Sequence, residues 1–313
     1  MSLAFTFPGQ GSQAVGMGAD LAEAFPAARH VFEEVDEALG QNLFKLMKEG
    51  PEDELTLTEN AQPALMAVSM AVMRALEAEG GFKLEEHVKF VAGHSLGEYS
   101  ALTAAGALSI PDCAKALKIR GQAMQQAVPV GEGAMAAILG LDIETATEVA
   151  NEAAQNDVCA PANDNAVGQL VLSGSVAAIE RAVEIAKDKG AKKAMMLQVS
   201  APFHCPLMQP AADRMEEALA EISINPPIVP LIANVTADLA EEPEEIRKLL
   251  VQQVTGMVRW RESVLMLKDK GCGRLVEVGA GKVLTTMLKR IDKDLTGEAV
   301  GSPEAVDAFL KSL

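Results

Sequence analysis

Cysteine is scarce and unpatterned in this chain. Cys113, Cys159, Cys205 and Cys272 are its only four, and none forms a Cys-x-x-Cys pair. Neither a zinc site nor a disulfide framework is indicated, and a reducing, cytoplasmic setting fits. Positive charge is short as well: 27 lysines and arginines face 44 aspartates and glutamates, leaving a net charge of −17. That balance argues against nucleic acid or an anionic membrane as the main partner, because both call for basic surface. There is no internal repeat and no low-complexity tract. The segment Met1 to Phe7 has no charged n-region, and Pro8 cuts its apolar stretch too early for a signal peptide or membrane span. The mature chain is expected to start here. Histidine is equally rare, with four copies, which narrows any search for a general base.

What is present is enough apolar material to bury a core. With 49% hydrophobic residues over 313 positions, one large domain with an insertion, or two domains, is expected. The most informative segment is Gly93-His94-Ser95-Leu96-Gly97, where the apolar run Val88 to Ala92 gives way to a helical pattern from Glu98 to Ala105. Strand, sharp turn and helix around Gly-x-Ser-x-Gly spell a nucleophile elbow. Ser95 would stand exposed at the turn as a nucleophile. The Leu96 N–H, at a helix N-terminus, would face a developing negative charge as half of an oxyanion hole. A glycine turn whose serine merely caps the next helix is the plainer alternative.

Leu3 to Phe7 reads as a buried strand that ends in the glycine-rich turn Pro8 to Gln13. Apolar residues from Ala61 to Leu76 recur at helical spacing, with Pro63 near that helix's start and Gly80-Gly81 at its end. A further helix covers Pro111 to Ala127, and Pro129 to Gly133 breaks the pattern. The elements then shorten: strand Ala134 to Leu141, helix Ile143 to Ala154, strands Val158 to Ala162 and Gln169 to Ser173, helix Val176 to Lys189, and strand Lys193 to Val199. That order, βαββαβ, is the split arrangement of a ferredoxin-like unit. The expected fold is therefore α/β. A large α/β-hydrolase-like domain with a parallel sheet is expected to comprise 1–127 and 198–313, resuming through Ile228 to Ala233 and Arg274 to Val278, with a ferredoxin-like small subdomain inserted at 128–197.

A serine nucleophile needs a general base, most often histidine. His30 and His87 lie in charged surroundings that suit solvated surface residues, and His94, adjacent to Ser95, suits a structural donor bracing the elbow. His204 is left, in Val199-Ser200-Ala201-Pro202-Phe203-His204-Cys205-Pro206, where prolines flank it at the return to the large domain. Ligand clefts favour such junctions. A histidine packed in a rigid connector is the alternative, and Cys205 beside it reads as buried rather than reactive.

Taken together, five segments resemble the malonyl-CoA:acyl carrier protein transacylase family of bacterial type II fatty acid synthesis. They are Phe7 to Gln13, Gln62-Pro63-Ala64-Leu65, Gly93 to Tyr99, Ser200 to His204, and Glu277-Val278-Gly279-Ala280-Gly281-Lys282, in the family's order over nearly the whole chain. The resemblance implies a double displacement in which Ser95 is acylated by malonyl-CoA, with His204 first as base and then as acid toward the leaving thiol. It implies malonyl-CoA and phosphopantetheinylated acyl carrier protein as substrates and partner, with no bound cofactor and no metal. The N–H of Gln10 would complete the oxyanion hole with that of Leu96; a helix-capping turn is the other reading of Gln10. His204 would be oriented by a backbone carbonyl from a glutamine near the start of a late helix, which matches Gln253, with Gln252 as its competitor. Arg120 matches the family's carboxylate-binding arginine, a role its planar fork suits, although alone it reads as a solvated helix residue. Phe203 matches the bulky residue that accompanies malonyl selection, and Asn234 and Gln62 match positions near the site and are expected to bind substrate, a turn-forming asparagine being the other reading of Asn234.

An acidic carrier protein would be repelled by this chain unless basic residues cluster. Lys187, Lys189, Lys192 and Lys193 form such a run, and Lys189 and Lys193 are candidates for the docking border, against a merely solvated turn. A serine hydrolase with the same Ser95 and His204 is the nearest rival, and a malonyltransferase serving polyketide synthesis is another. A nucleotide-binding module is disfavoured, because Gly9-Gln10-Gly11 and Gly279-Ala280-Gly281 both lack the third glycine at the required spacing.

Overall fold

The computed structural model describes residues 2–313. Among the described residues, ten strands divide between two sheets. Strands β1 (Ser2–Phe7), β2 (Val88–Gly93), β7 (Leu231–Ile232), β8 (Leu239–Ala240), β9 (Cys272–Val278) and β10 (Thr296–Val300) form a six-stranded sheet in the order β10-β9-β1-β2-β7-β8. All its pairings are parallel except the antiparallel β7–β8 edge. Strands β3 (Gly133–Leu139), β4 (Cys159–Ala166), β5 (Gln169–Ser175) and β6 (Lys193–Met196) form an antiparallel sheet in the order β4-β5-β3-β6.

Alternation along the central strands explains why both faces of the larger sheet are covered. In β1, Phe5 and Phe7 enter the main core and Ala4 faces the other one; in β9, Val276 and Val278 go one way and Leu275 the other. The first face packs under the long helix Thr58–Gly80 and its neighbours, and the second under the helices Trp260–Asp269 and Val283–Ile291. The smaller sheet has its own core, in which Ile138, Leu170 and Leu172 meet Val149 and Ile179 from its two helices. Strand order turns back at β1, since β2 lies on one side and β9 on the other. Crevices at the C-terminal ends of parallel strands open at such a switch point, and ligands bind there.

Four expectations need correction. Pro63 is not at the helix start: the helix begins at Thr58 and carries Pro63 in its interior, because burial of the whole segment outweighs one lost hydrogen bond. The strand expected to end at Ala162 runs on to Ala166. Its Pro161, Asn163, Asp164 and Asn165 carry little strand propensity, but β5 pairs with it as far as Ala166, and on its other edge Val258 accepts from the Asp164 N–H at 3.0 Å and donates to the Ala162 carbonyl at 2.9 Å. The strand expected to reach Val199 stops at Met196, and Leu197 to Ser200 peel away to line the cleft. Only Leu231–Ile232 of the expected Ile228 to Ala233 strand is paired in the sheet, since prolines at 226, 227 and 230 have no N–H to contribute.

Candidate active site

The elbow forms because two residues in it have no Cβ. A Cβ on Gly93 would lie 1.9 Å from the Gly97 carbonyl oxygen, and one on Gly97 would lie 2.2 Å from that of Phe7. Between them Ser95 takes φ 53° and ψ −111°, a sparsely populated conformation held by its surroundings. The turn is pinned to β1 by the His94 N–H donating to the Phe7 carbonyl at 3.0 Å. It is pinned to the end of β7 by Asn234, whose Oδ1 accepts from the Ser95 N–H at 2.8 Å while its Nδ2 donates to the Gly93 carbonyl at 2.6 Å. Asn234 thus acts on the elbow backbone and not, as expected, on substrate: it is fully buried and does not line the cleft, because both ends of its amide are taken by the turn.

His204 reaches Ser95 across 109 residues of chain, with Nε2 2.8 Å from Ser95 Oγ. Its Nδ1 stands 2.9 Å from the carbonyl of Gln253, which can only accept, so Nδ1 carries the proton and Nε2 is free to accept from the serine hydroxyl. Gln253 sits in the last turn of helix Pro243–Thr255, not near a helix start as expected. The last four carbonyls of a helix have no intrahelical partner, and this one is spent on the imidazole. Gln252 is exposed, and its carbonyl accepts instead from the Gly256 N–H.

Arg120 is not a solvated helix arginine; it is 1% exposed. Its Nη1 donates to Gln62 Oε1 at 2.7 Å, and its Nη2 to Gln253 Oε1 at 2.7 Å and to Ser95 Oγ at 3.1 Å. The guanidinium also lies over the Tyr99 ring, 5.7 Å from its centroid. Gln62 therefore supports Arg120. A cleft of about 590 Å³ brings Gln10, Gln62, Ser95, Leu96, Arg120, Phe203 and His204 onto one surface, between the two sheets. The N–H groups of Gln10 and Leu96 make no hydrogen bond to another described residue. The Gln10 side chain accepts from the Thr58 hydroxyl at 2.9 Å.

Burial, then the charge of Arg120, pushes the His204 imidazole down to about 3, so it rests neutral and able to take a proton. Half-buried His94 is likewise lowered by burial, and its Nε2 lies 2.8 Å from Asn165 Oδ1 on β4. It braces the elbow against the second sheet. The sequence did not single out Glu98, which is fully buried one turn beyond Ser95 and whose carboxyl burial pushes up to about 7. Its signal was a carboxylate three residues after Ser95 in an otherwise uncharged helix.

A family model described as an acyl transferase domain matches residues 4–304. Over 312 residues the chain is 45% identical to the malonyl CoA-acyl carrier protein transacylase of Bacillus subtilis (strain 168), covering 99% of this chain and 97% of that protein. The chain belongs to the malonyl-CoA:acyl carrier protein transacylases, a family of acyl transferases. The transacylase of Escherichia coli (strain K12) is also 45% identical, over 98% of each chain. The crystal structure of the acyl-carrier-protein-S-malonyltransferase from Bartonella henselae superposes with a TM-score of 0.98 at 56% identity, over 100% of this chain and 99% of that one.

The basic run that was a candidate border in this transacylase is partly neutralised. Lys189 pairs with Glu148 at 3.3 Å and with Glu152 at 3.5 Å, and Lys187 with Glu184. Lys193 is exposed at the start of β6, at the opposite end of that strand from the cleft-lining residues Leu197 to Ser200. Lys282 and Arg290 line a smaller cleft that shares Val283 and Met287 with the main one. Among the described residues no cluster of three or more His, Cys, Asp or Glu side chains could hold a metal ion, and no helix is long and apolar enough to cross a membrane.

Proposed function

We propose that this chain moves the malonyl group of malonyl-CoA onto the phosphopantetheine thiol of acyl carrier protein through a malonyl-Ser95 ester, supplying fatty acid biosynthesis. One observation carries the reading: Ser95 Oγ meets His204 Nε2 at 2.8 Å and Arg120 Nη2 at 3.1 Å in a single cleft. In the first displacement Ser95 Oγ attacks the thioester carbonyl carbon while its proton passes to His204 Nε2. The oxyanion takes the N–H groups of Leu96 and Gln10. Collapse breaks the C–S bond, and the departing CoA sulfur takes the proton from His204. In the second displacement the carrier thiol yields its proton to His204 and attacks the ester carbonyl, and the Ser95 oxygen leaves with that proton.

Arg120 is the partner for the free malonyl carboxylate, and Phe203 and Gln62 bound the acyl space. Because the Arg120 charge is one of the causes that depress His204, a carboxylate neutralising Arg120 raises the basicity of His204 as the substrate arrives. Gln253 orients the imidazole through its carbonyl and Asn234 holds the elbow. Lys189 and Lys193 remain the proposed border for the carrier protein, with Lys193 the less encumbered of the two.

We further infer a discontinuous α/β-hydrolase-like domain, 1–127 and 198–313, with a ferredoxin-like insertion at 128–197. The sheet order β4-β5-β3-β6 and a separate core support it. Four free thiols suit a cytoplasmic setting.

Intact-mass analysis after addition of malonyl-CoA tests the chemistry. A malonyl adduct is expected on the native protein, to be discharged by carrier thiol much faster than by water, and none on Ser95→Ala. An adduct on both proteins would refute the nucleophile, and thiol-independent discharge would make the chain a hydrolase.

A further inference from the structure

Glu98 takes no part in the displacement described above, yet it lies at the centre of its support. The carboxylate is fully buried in helix Leu96–Ala104. One oxygen, Oε2, accepts from Gln253 Nε2 at 2.8 Å and from the Asn234 N–H at 3.1 Å. The other, Oε1, is buried without a hydrogen-bond partner. A buried carboxylate left half-satisfied is costly, and what it supplies in return is an acceptor for two buried donors.

The two groups that Oε2 holds are the two that set the reacting pair. Gln253 places its carbonyl on His204 Nδ1 and its Nε2 on the Ser95 carbonyl at 2.9 Å. Asn234 fixes the Ser95 N–H and the Gly93 carbonyl. Nucleophile and base come from segments 109 residues apart, and the residues supporting them from two further segments. Among the described residues, Oε2 alone receives hydrogen bonds from both supporting segments.

We propose that Glu98 is a positioning residue for the Ser95–His204 pair, acting through the hydrogen bonds that Oε2 accepts from Gln253 and Asn234. It takes the place of the carboxylate usually found behind a catalytic histidine, but works at one remove, through the backbone carbonyl of the residue it grips. Geometry rather than charge is the agent proposed, because Oε2 reaches the pair through two neutral donors, the Gln253 amide and the Asn234 N–H, and makes no hydrogen bond or ion pair with Arg120. This inference rests on Ser95 and His204 being the reacting pair.

Glu98→Gln keeps an acceptor at the Oε2 position and removes the charge. Glu98→Asp keeps the charge and withdraws the acceptor by one methylene, and Glu98→Met removes both. Single-turnover acylation by malonyl-CoA, followed by intact mass, is expected to stay within about threefold of the native rate in Glu98→Gln and to fall roughly tenfold or more in Glu98→Asp and Glu98→Met. Malonyl-CoA affinity, measured for each in a Ser95→Ala background, is expected to change less than about threefold in all of them, since a positioning role lies on the chemical step. Should Glu98→Met fail to fold, the order of Glu98→Gln and Glu98→Asp still decides. The proposal is overturned if Glu98→Asp matches the native rate while Glu98→Gln falls, if all three match it, or if Glu98→Gln does not fold. Absence of a Ser95 adduct on the native protein would instead remove the reading beneath it.

Discussion

Arg120 illustrates how far one side chain's role depends on its surroundings. On a helix surface it would be solvated and replaceable; here it is 1% exposed and donates to Gln62, Gln253 and Ser95. Charge-assisted pairing with a carboxylate contributes about 1.5–3 kcal/mol. Arg120→Ala should therefore slow acylation by malonyl-CoA by roughly 10- to 150-fold, with a much smaller effect for an acyl-CoA of equal length that lacks the carboxylate. Equal losses for both thioesters would mean that Arg120 only holds Ser95. The same change bears on pH. Arg120 is the second cause, after burial, of the lowered His204 imidazole. Removing its positive charge makes protonation of His204 easier, so its titration moves up from about 3 toward the ordinary histidine range. The acid limb of kcat/KM for the carboxylate-free thioester should then shift to higher pH in Arg120→Ala, and a shift to lower pH would contradict the charge assignment.

At the scale of elements, the elbow is a place where backbone meets backbone. Gly97 packs against the end of β1, and a Cβ there would stand 2.2 Å from the Phe7 carbonyl oxygen and 2.9 Å from that of Pro8. Neither backbone atom can swing aside as a side-chain tip could. Gly97→Ala is expected to cost about 3 kcal/mol or more in urea unfolding and to lose acylation activity with it. A substitution that leaves the unfolding midpoint unchanged would show that the strand and helix can separate freely. Helix Leu96–Ala104 itself was readable from sequence, because strand, Gly-x-Ser-x-Gly and helix form a local pattern. The full length of β4 was not: Pro161, Asn163, Asp164 and Asn165 argue locally for a loop, but β5 pairs with the strand as far as Ala166, and Val258, almost a hundred residues away, bridges its other edge.

The whole molecule depends on how the smaller sheet is fastened to the larger body. Arg261 grips Asp164 through Nε at 3.1 and 2.9 Å and through Nη2 at 2.8 Å, and Asp164 is 1% exposed. Removing the arginine leaves a buried carboxylate without its cation. Because Arg261 is itself about a quarter exposed, the loss is discounted for solvent screening, and Arg261→Ala is expected to destabilise by about 2 kcal/mol in urea unfolding. Asp164→Asn in the same background should recover part of that loss, since no charge is then stranded. No recovery would place the arginine's contribution elsewhere. The cleft lies between these two bodies, so the same variant should raise KM for malonyl-CoA more than it lowers kcat.

By itself the sequence determined the elements whose signals are local: the elbow, the βαββαβ rhythm, and the family, whose motifs lie along nearly the whole chain. His204 could be reached by elimination because histidines are few. What only the tertiary structure decided are relations between distant segments. Gln253 presents a carbonyl because its helix ends there, Arg120 is buried because Gln62 and Gln253 close over it, and Glu98 matters because two strangers in sequence converge on one of its oxygens. Periodicity reports which face of an element is buried, whereas a polar side chain's role is set by which donors and acceptors the fold brings within hydrogen-bonding distance of it.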